Sequence, residues 1–240
     1  HNIKDLIWLQ AYGIPKIIVF HNRLTTEIAL ANNSISTAEY RDKIQFLLNG
    51  VEKVFISNSK RKDWGLQGHV ILPGIDTSEY GGYTGEVTGV LRIGNLMKER
   101  DLMMGFTASQ QIMEGFPGTT LGLNPGLPGV RLSQGFDDLL NHYRKCRCFI
   151  NTTAEGYEDG YNLAMLEAMA TGMPVVSTFN RTSPIQNGVN GFISTDIAYL
   201  KICVEELLGN PNLARELGAN ARQTIIEKFN IKTFLDNWNN

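Results

Sequence analysis

Apolar residues along the chain recur in two alternating patterns that predict an α/β protein. Short apolar runs bounded by glycine, proline or polar clusters are typical of buried strands. Such runs lie at 16–20, 51–57, 70–72, 90–93, 119–123, 130–132, 148–151 and 175–178. Stretches with helical spacing lie at 3–12, 25–30, 38–48, 101–114, 136–143, 161–171, 197–208 and 212–229. Strands that alternate with helices predict parallel sheets with helices on both faces.

A glycine-rich stretch separates this pattern into two parts. Residues 74–89 hold five glycines and show no apolar period, which is typical of a linker. We therefore predict a first unit at 1–80, a second αβ unit at 81–225 and a C-terminal segment at 226–240. Because the chain begins at His1 without a methionine, we expect a piece of a longer protein whose first domain is only partly present.

Composition argues against a nucleic-acid-binding, membrane-spanning or disulfide-rich protein. The 240 residues are 42% hydrophobic and 19% charged, with a net charge of −2, which gives no electrostatic reason to expect a nucleic-acid partner. No apolar run reaches the roughly 20 residues that span a bilayer. Three cysteines without a neighbouring histidine cluster predict neither a disulfide framework nor a metal site. We expect a cytoplasmic protein without a bound metal.

The segment 154–192 is the strongest functional signal. Its helix is apolar almost all round and yet carries one carboxylate, Glu167. A buried carboxylate costs free energy unless it is hydrogen-bonded, and the vicinal hydroxyls of a ribose would satisfy it. Alternatively this face of the helix meets solvent, and helix physics leaves both interpretations open.

Polar residues at predicted loop ends suggest an anion site. Asp159 and Gly160 precede the helix, whose free N–H groups favour phosphate, although an Asp there is more often a helix N-cap. Arg92, Lys98 and Arg100 flank the turn after strand 90–93, where a cation can hold a diphosphate or simply face solvent. His21 ends strand 16–20, where it either meets a ligand or plays a structural role.

Several motifs together resemble the retaining GT-B-fold glycosyltransferases of family 4. That family carries a Glu, seven residues and a second Glu that leads into Glu-Ala-Met-Ala-x-Gly-x-Pro-Val-Val. Residues 159–176 read DGYNLAMLEAMATGMPVV, and 187–192 read NGVNGF, which looks like the family's Asp-Gly-x-Asn-Gly turn. VLRIGNLMKER, VILPGID and IPKIIVFHN are similar to three further family motifs. The resemblance covers nearly the whole chain and is strongest from 136 to 193.

The resemblance implies two Rossmann-like parallel-sheet domains, with a nucleotide-diphosphate sugar of UDP or GDP type bound between them as donor substrate. No further cofactor is implied, and the final segment would cross back onto the first domain. The implied catalytic residues are His21, Asp159 and Arg100. The implied donor-binding residues are Gly94, Asn95, Arg100, Gly160, Tyr161, Asn162, Leu163 and Glu167.

The expected function is transfer of a sugar, with retention, to a glycan, lipid-linked or small-molecule acceptor, as in polysaccharide biosynthesis. A peripheral contact with the inner membrane face would involve the absent part of the first domain. Asp159 stands where the family has Glu, so Glu158 is an alternative carboxylate, and Asn95 stands where the family has Arg. Two alternatives stay open. One is an epimerase or hydrolase of the same fold, and the other, which these departures favour, is a non-catalytic sugar-nucleotide-binding domain.

Overall fold

The computed structural model describes residues 5–31 and 34–239, and in them the chain forms two parallel β-sheets. The first sheet has the order β1-β2-β3, with strands Lys16–Phe20, Val51–Phe55 and His69–Val70. The second sheet has the order β5-β4-β6-β7-β8. Its strands, from β4 to β8, are Val87–Ile93, Gly118–Leu121, Cys146–Asn151, Val175–Thr178 and Gly191–Ser194. The predicted α/β class with parallel sheets is confirmed.

Helices connect the strands and cover the sheets. In the first unit these are α1 to α4, at Asp5–Leu9, Leu24–Leu30, Thr37–Ile44 and Asn58–Trp64. In the second they are α5 to α10, at Asp101–Met104, Phe106–Met113, Phe136–Lys145, Leu163–Thr171, Ile197–Gly209 and Pro211–Lys228. A last helix, α11, spans Ile231–Asn239.

The core of the second unit lies around β6 and α8. All six residues of β6 are buried, as expected for a central strand with a helix layer on each face. Met165, Leu166 and Met169 of α8 are fully buried against it. Helix α8 ends at Gly172, which adopts φ +96°, a left-handed conformation that glycine adopts without steric cost. The chain then enters β7 directly.

The strand order places a switch point between β4 and β6. The connection from β4 leads to β5 on one side, whereas β6 pairs with β4 on the other side and continues outward to β7. Connections that leave in opposite directions open a crevice outside the carboxyl ends of the two strands, where ligands of open α/β sheets bind. The topology therefore predicts that the residues after Ile93 and after Asn151 line a ligand-binding crevice.

Four local predictions differ from the structure. The polar stretch 57–64 forms helix α4, because Ser57 caps its N-terminus and Trp64 is buried at its end. The predicted helix 101–114 breaks at Gly105, which adopts φ +60° and packs against the Thr152 carbonyl. Residues 130–132 contribute only an isolated bridge at Arg131, and β8 is a strand that the apolar pattern did not predict. The predictions for residues 3–4 and 32–33 lie outside the described residues.

The glycine-rich stretch 74–89 follows the surface of the second unit until β4 begins at Val87. The Tyr83 hydroxyl donates a 2.6 Å hydrogen bond to the Arg147 carbonyl, and the amides of Thr84 and Gly85 donate to the Arg144 carbonyl. At the start of the stretch, the Ile75 amide donates to the Phe229 carbonyl at 2.7 Å. The stretch therefore contacts β6, α7 and the end of α10. The domain limits at 80 and 225 stay predictions.

Candidate functional site

A cleft of about 770 Å³ lies where the carboxyl ends of the two sheets face each other. Residues that follow β1, β2 and β3 line one wall, and residues that follow β4 and β6 line the other. Helix α11 contributes Phe234 and Trp238 to the lining. The predicted residues His21, Gly94, Asn95, Arg100, Tyr161, Asn162 and Leu163 all line this cleft.

The N-terminus of α8 forms part of the cleft wall. The helix begins at Leu163, two residues later than the sequence pattern suggested, because Asn162 caps it by accepting the Met165 amide hydrogen at 2.9 Å. Asn162 also donates a 3.0 Å hydrogen bond to Asn151 Oδ1, which fixes the orientation of the cap. Leu163 and Ala164 line the cleft, and amides in the first turn of a helix lack intrahelical acceptors. These two amides can therefore bind an anion.

Gly160 has a packing role instead of a place on the cleft wall. Its amide donates a 2.7 Å hydrogen bond to Thr182 Oγ1, so it is already engaged. A Cβ atom at this position would lie 2.5 Å from the Ser183 nitrogen. The absence of a side chain therefore lets the loop 154–161 pack against the backbone of the turn at 180–183. The Gly160 amide is not available to phosphate in this arrangement, so the donor contact that the resemblance implies for Gly160 would not use this amide.

A buried lysine from the first unit joins the acidic loop of the second. Lys60, in α4, is 2% exposed, and its Nζ lies 2.7 Å from Asp159 Oδ2 and also contacts Glu158 Oε1. Asp159 is fully buried, and its Oδ1 has no hydrogen-bond partner among the described residues. Lys60 and Glu158 line the cleft, whereas Asp159 does not. The carboxylate that the cleft presents is thus that of Glu158.

A second contact reinforces this junction. The hydroxyl of Thr26, a fully buried residue of α2, donates to the carbonyl of Tyr157 in the same acidic loop. Sequence reasoning missed Lys60 because it stands in the cationic stretch SNSKRKDW, where nothing local distinguishes it from Arg61 and Lys62. Only the position of α4 opposite the loop brings its ammonium group to the two carboxylates.

His21 extends from the end of β1 into the cleft opposite α8. Partial burial lowers the pKa of its imidazole, and the positive charge of Lys60 lowers this pKa further. Both effects favour the neutral ring at neutral pH, in which one nitrogen donates a hydrogen bond and the other accepts one. The predicted position of His21 on the wall opposite the donor-binding residues agrees with this geometry, and its role in contacting a sugar stays a prediction.

The loop after β4 supplies the cation of the other wall. Arg100 lines the cleft just before α5. Asn95 also lines it, but its Oδ1 accepts the Leu123 amide hydrogen at 2.7 Å. Asn124 donates a 2.7 Å hydrogen bond to the Gly94 carbonyl, so the two neighbouring loops are tied together. Asn95 therefore stabilises the loop that carries Arg100.

Glu167 lies one turn beyond Leu163 and Ala164 on α8, outside the residues that line the cleft. It accepts a 2.8 Å hydrogen bond from the Tyr143 hydroxyl and a second one from Tyr80. Burial raises the pKa of the Glu167 carboxyl, and the two tyrosine hydrogen bonds oppose that shift. Protein groups thus satisfy the carboxylate that the sequence assigned to a ribose, and the ribose contact stays a prediction. Sequence reasoning did not identify Tyr80 or Tyr143.

The described residues hold neither a metal-binding cluster nor a membrane-spanning helix. Within 5–31 and 34–239, no three histidine, cysteine or acidic side chains gather as a metal site would require. In the same ranges, no helix combines the length and apolar character needed to cross a bilayer.

Part of the second unit is similar in sequence to known proteins. Residues 111–210 match the family described as glycosyl transferases group 1. A curated relative is the poly(ribitol-phosphate) alpha-N-acetylglucosaminyltransferase of Staphylococcus aureus (strain COL), 33% identical over 87 residues. That alignment covers 34% of this chain and 18% of the relative.

Solved structures extend the likeness to the whole chain. TarM of S. aureus, in a complex with fondaparinux, alpha-GlcNAc-glycerol and UDP, gives a TM-score of 0.70 at 19% identity over 93% of this chain. Anabaena Alr3699/HepE in complex with UDP and glucose gives 0.73 at 15% identity over 99% of this chain. The fold is of the GT-B type. The chain spans half of the TarM chain and 75% of the HepE chain.

Proposed function

We propose that this protein is a retaining glycosyltransferase that takes a sugar from a nucleoside-diphosphate donor. One observation carries the proposal. The cleft between the two sheets combines the open N-terminus of α8 and Arg100 on one wall with His21 on the other. An anion-binding helix end and a cation suit a diphosphate, and a facing polar side chain suits the sugar attached to it. The match of residues 111–210 to glycosyl transferases group 1 supports the same assignment.

The diphosphate would bind at the amides of Leu163 and Ala164, with Arg100 beside it. These groups would stabilise the negative charge that develops on the leaving diphosphate as the glycosidic bond breaks. Retention would follow if the acceptor hydroxyl attacks from the face that the diphosphate leaves. The donor sugar would lie toward His21 and Glu158, which both line the cleft. Glu167 would meet the ribose if the tyrosine contacts rearrange on binding.

A uridine nucleotide is the donor that we propose first. TarM and HepE, which share this fold, were solved in complexes with UDP. The acceptor would be a glycan, a lipid-linked acceptor or a small molecule. A poly(ribitol phosphate) and a glycerol glycoside are suitable first acceptors, because the curated relative and the TarM complex carry these names.

One observation favours a second candidate, a domain that binds sugar nucleotides without turnover. Asp159 stands at the position of a family carboxylate, but it is buried and ion-paired with Lys60. A carboxylate held in this way does not reach the cleft. Turnover with any acceptor would exclude this second candidate, and tight donor binding without turnover would favour it.

The test begins with a thermal-shift panel of UDP, GDP, ADP and CMP sugars, because a ligand that binds only the folded state raises Tm. We expect a uridine nucleotide sugar to give the largest shift. Arg100→Gln should weaken its binding by about 10- to 100-fold, since a charge-assisted hydrogen bond is lost. Arg215→Gln is the matched control, because Arg215 is an exposed residue of α10, outside the cleft lining, whose side chain donates hydrogen bonds to Pro211 and Asn212.

Product analysis completes the test. UDP release that depends on an acceptor supports transfer, and an α-linked product from an α-linked donor, identified by NMR of the anomeric proton, supports retention. A panel in which no nucleotide sugar raises Tm would overturn the proposed function.

A further inference from the structure

We propose that Arg92 is a buried positive charge that strengthens the binding of the donor diphosphate from beneath the cleft floor. This inference rests on the proposed function, because it concerns the charge of the same ligand. Arg92 lies near the carboxyl end of β4, two residues before Gly94, which lines the cleft.

Arg92 carries a charge that the protein does not neutralise. The residue is 6% exposed, and among the described residues only the neutral hydroxyls of Ser109 and Thr120 accept hydrogen bonds from its guanidinium, at 2.5 and 3.1 Å. Its Nε is buried and has no acceptor among the described residues. The ring of Phe106 lies beneath the guanidinium at 5.0 Å. Within the described ranges, no carboxylate forms an ion pair with it.

Arg147 shows what a structural arginine looks like in the same sheet. It is also 6% exposed and belongs to β6, but it lies at the amino end of its strand. Its Nε donates to the Gly85 carbonyl at 2.6 Å, and its Nη1 donates to the carbonyls of Leu207 and Leu208. Arg147 therefore donates to several backbone carbonyls far from the carboxyl edge of the sheet. In the part of the chain that the structure describes, the hydrogen bonds of Arg92 go to two side-chain hydroxyls and to no backbone carbonyl.

The position of Arg92 directs its charge at the cleft. It lines a cavity of about 20 Å³ that shares Ile93, Met104 and Asn162 with the lining of the cleft. Asn162 is also the N-cap of α8, so the small cavity lies under the helix end where the diphosphate would bind. The attraction between opposite charges grows as the effective dielectric constant falls, and little water separates a buried cation from a ligand in the neighbouring cleft.

Arg92 remains charged at neutral pH. Burial lowers the pKa of its guanidinium to about 10, which still leaves the protonated form dominant near pH 7. A fixed cation next to an anion site adds binding energy only for ligands that carry negative charge. Arg92 therefore adds to the preference of this cleft, beyond what Arg100 and the α8 amides supply, for a nucleoside diphosphate over the corresponding uncharged nucleoside.

The test compares UDP with uridine on wild type, Arg92→Gln and Arg92→Met, with calorimetry for UDP and NMR titration for uridine. We expect both neutral variants to bind UDP about tenfold more weakly, while uridine affinity changes by less than about twofold. Arg92→Lys keeps the charge and should stay within about threefold of wild type for UDP. Arg92→Met introduces no new buried polar group, so it provides a second neutral variant if Arg92→Gln is unstable.

Arg147→Gln is the control for a purely structural loss. It should change the two affinities by the same factor, or change neither. If the neutral Arg92 variants weaken UDP and uridine equally, or leave UDP binding unchanged, the inference is overturned while the proposed function stands. A wild-type protein that binds neither UDP nor GDP overturns the proposed function and this inference with it.

Discussion

Lys60 and Asp159 form an ion pair of 2.7 Å across 99 positions of the chain and across the two sheets. Both side chains are buried, so the pair is shielded from solvent. Removal of one partner of such a pair leaves a buried charge without compensation, and this costs more than the pair itself contributes. Because Lys60 also lines the cleft, one residue contributes both to the stability of the protein and to the charge of the cleft.

Replacement of Lys60 by Met should lower the free energy of unfolding by about 3–5 kcal/mol, because Asp159 is then buried without its cation. Urea unfolding followed by circular dichroism measures this change. The double variant Lys60→Met with Asp159→Asn should recover part of the loss, since residue 159 then carries no buried charge. Lys232→Met breaks the exposed pair with Asp236 and should change stability little. Equal losses in the single and double Lys60 variants would argue against the coupling.

The same change should raise the pKa of His21. Burial and the Lys60 charge both lower this pKa in the wild type, and Lys60→Met removes the second effect. An NMR titration of the His21 ring protons between pH 4 and pH 8 measures the shift. Lys62→Met removes an exposed charge of the same helix and should leave the titration where it is. A His21 titration that is identical in all three proteins would contradict the assignment of Lys60 as the cause.

The Glu167 carboxyl should make the free energy of unfolding fall as pH rises, because burial raises its pKa in the folded state. Its folded pKa is raised by burial, so the folded state binds its proton more tightly than the unfolded state does. This contribution to stability is fully present below the unfolded pKa of about 4.5 and is lost as pH rises through the folded pKa. Glu167→Gln removes the ionisation. The stability of the variant relative to wild type should therefore increase between pH 4 and pH 7.

Urea titrations at several pH values test this prediction. Glu216→Gln, an exposed residue of α10, is the control and should give a difference from wild type that does not change with pH. A difference between Glu167→Gln and wild type that falls as pH rises would mean that the folded state favours the ionised carboxylate.

Gly160→Ala should destabilise the protein by about 1–3 kcal/mol, because its Cβ would meet the Ser183 backbone at 2.5 Å and the loop would have to move. Gly209→Ala is the matched control, since nothing lies within 4 Å of its added Cβ at the end of α9. The control should be neutral or slightly stabilising. Thermal unfolding of both variants decides the prediction, and an unchanged Tm for Gly160→Ala would show that the loop adapts without cost.

Local patterns predicted the elements that local physics controls. Strand β1 is an apolar run, β6 and β7 are largely buried, and α8 is an apolar helix with a glycine stop, so their own residues were sufficient. Helix α4 was missed because its stability depends on the Ser57 cap and on burial of Trp64 against the first unit. The break at Gly105 depends on the Thr152 carbonyl, which comes from another strand end.

The candidate site divides in the same way. The sequence by itself determined the α/β class, the presence of a helix N-terminus just after Gly160, and the positions of His21 and Arg100 at strand and loop ends, because each follows from neighbours along the chain. Only the tertiary structure decided that Lys60 holds Asp159, that Glu158 lines the cleft, and that tyrosines satisfy Glu167. Which groups pair with a buried charge depends on the residues that the fold brings next to it, and the local sequence around the charge does not contain those residues.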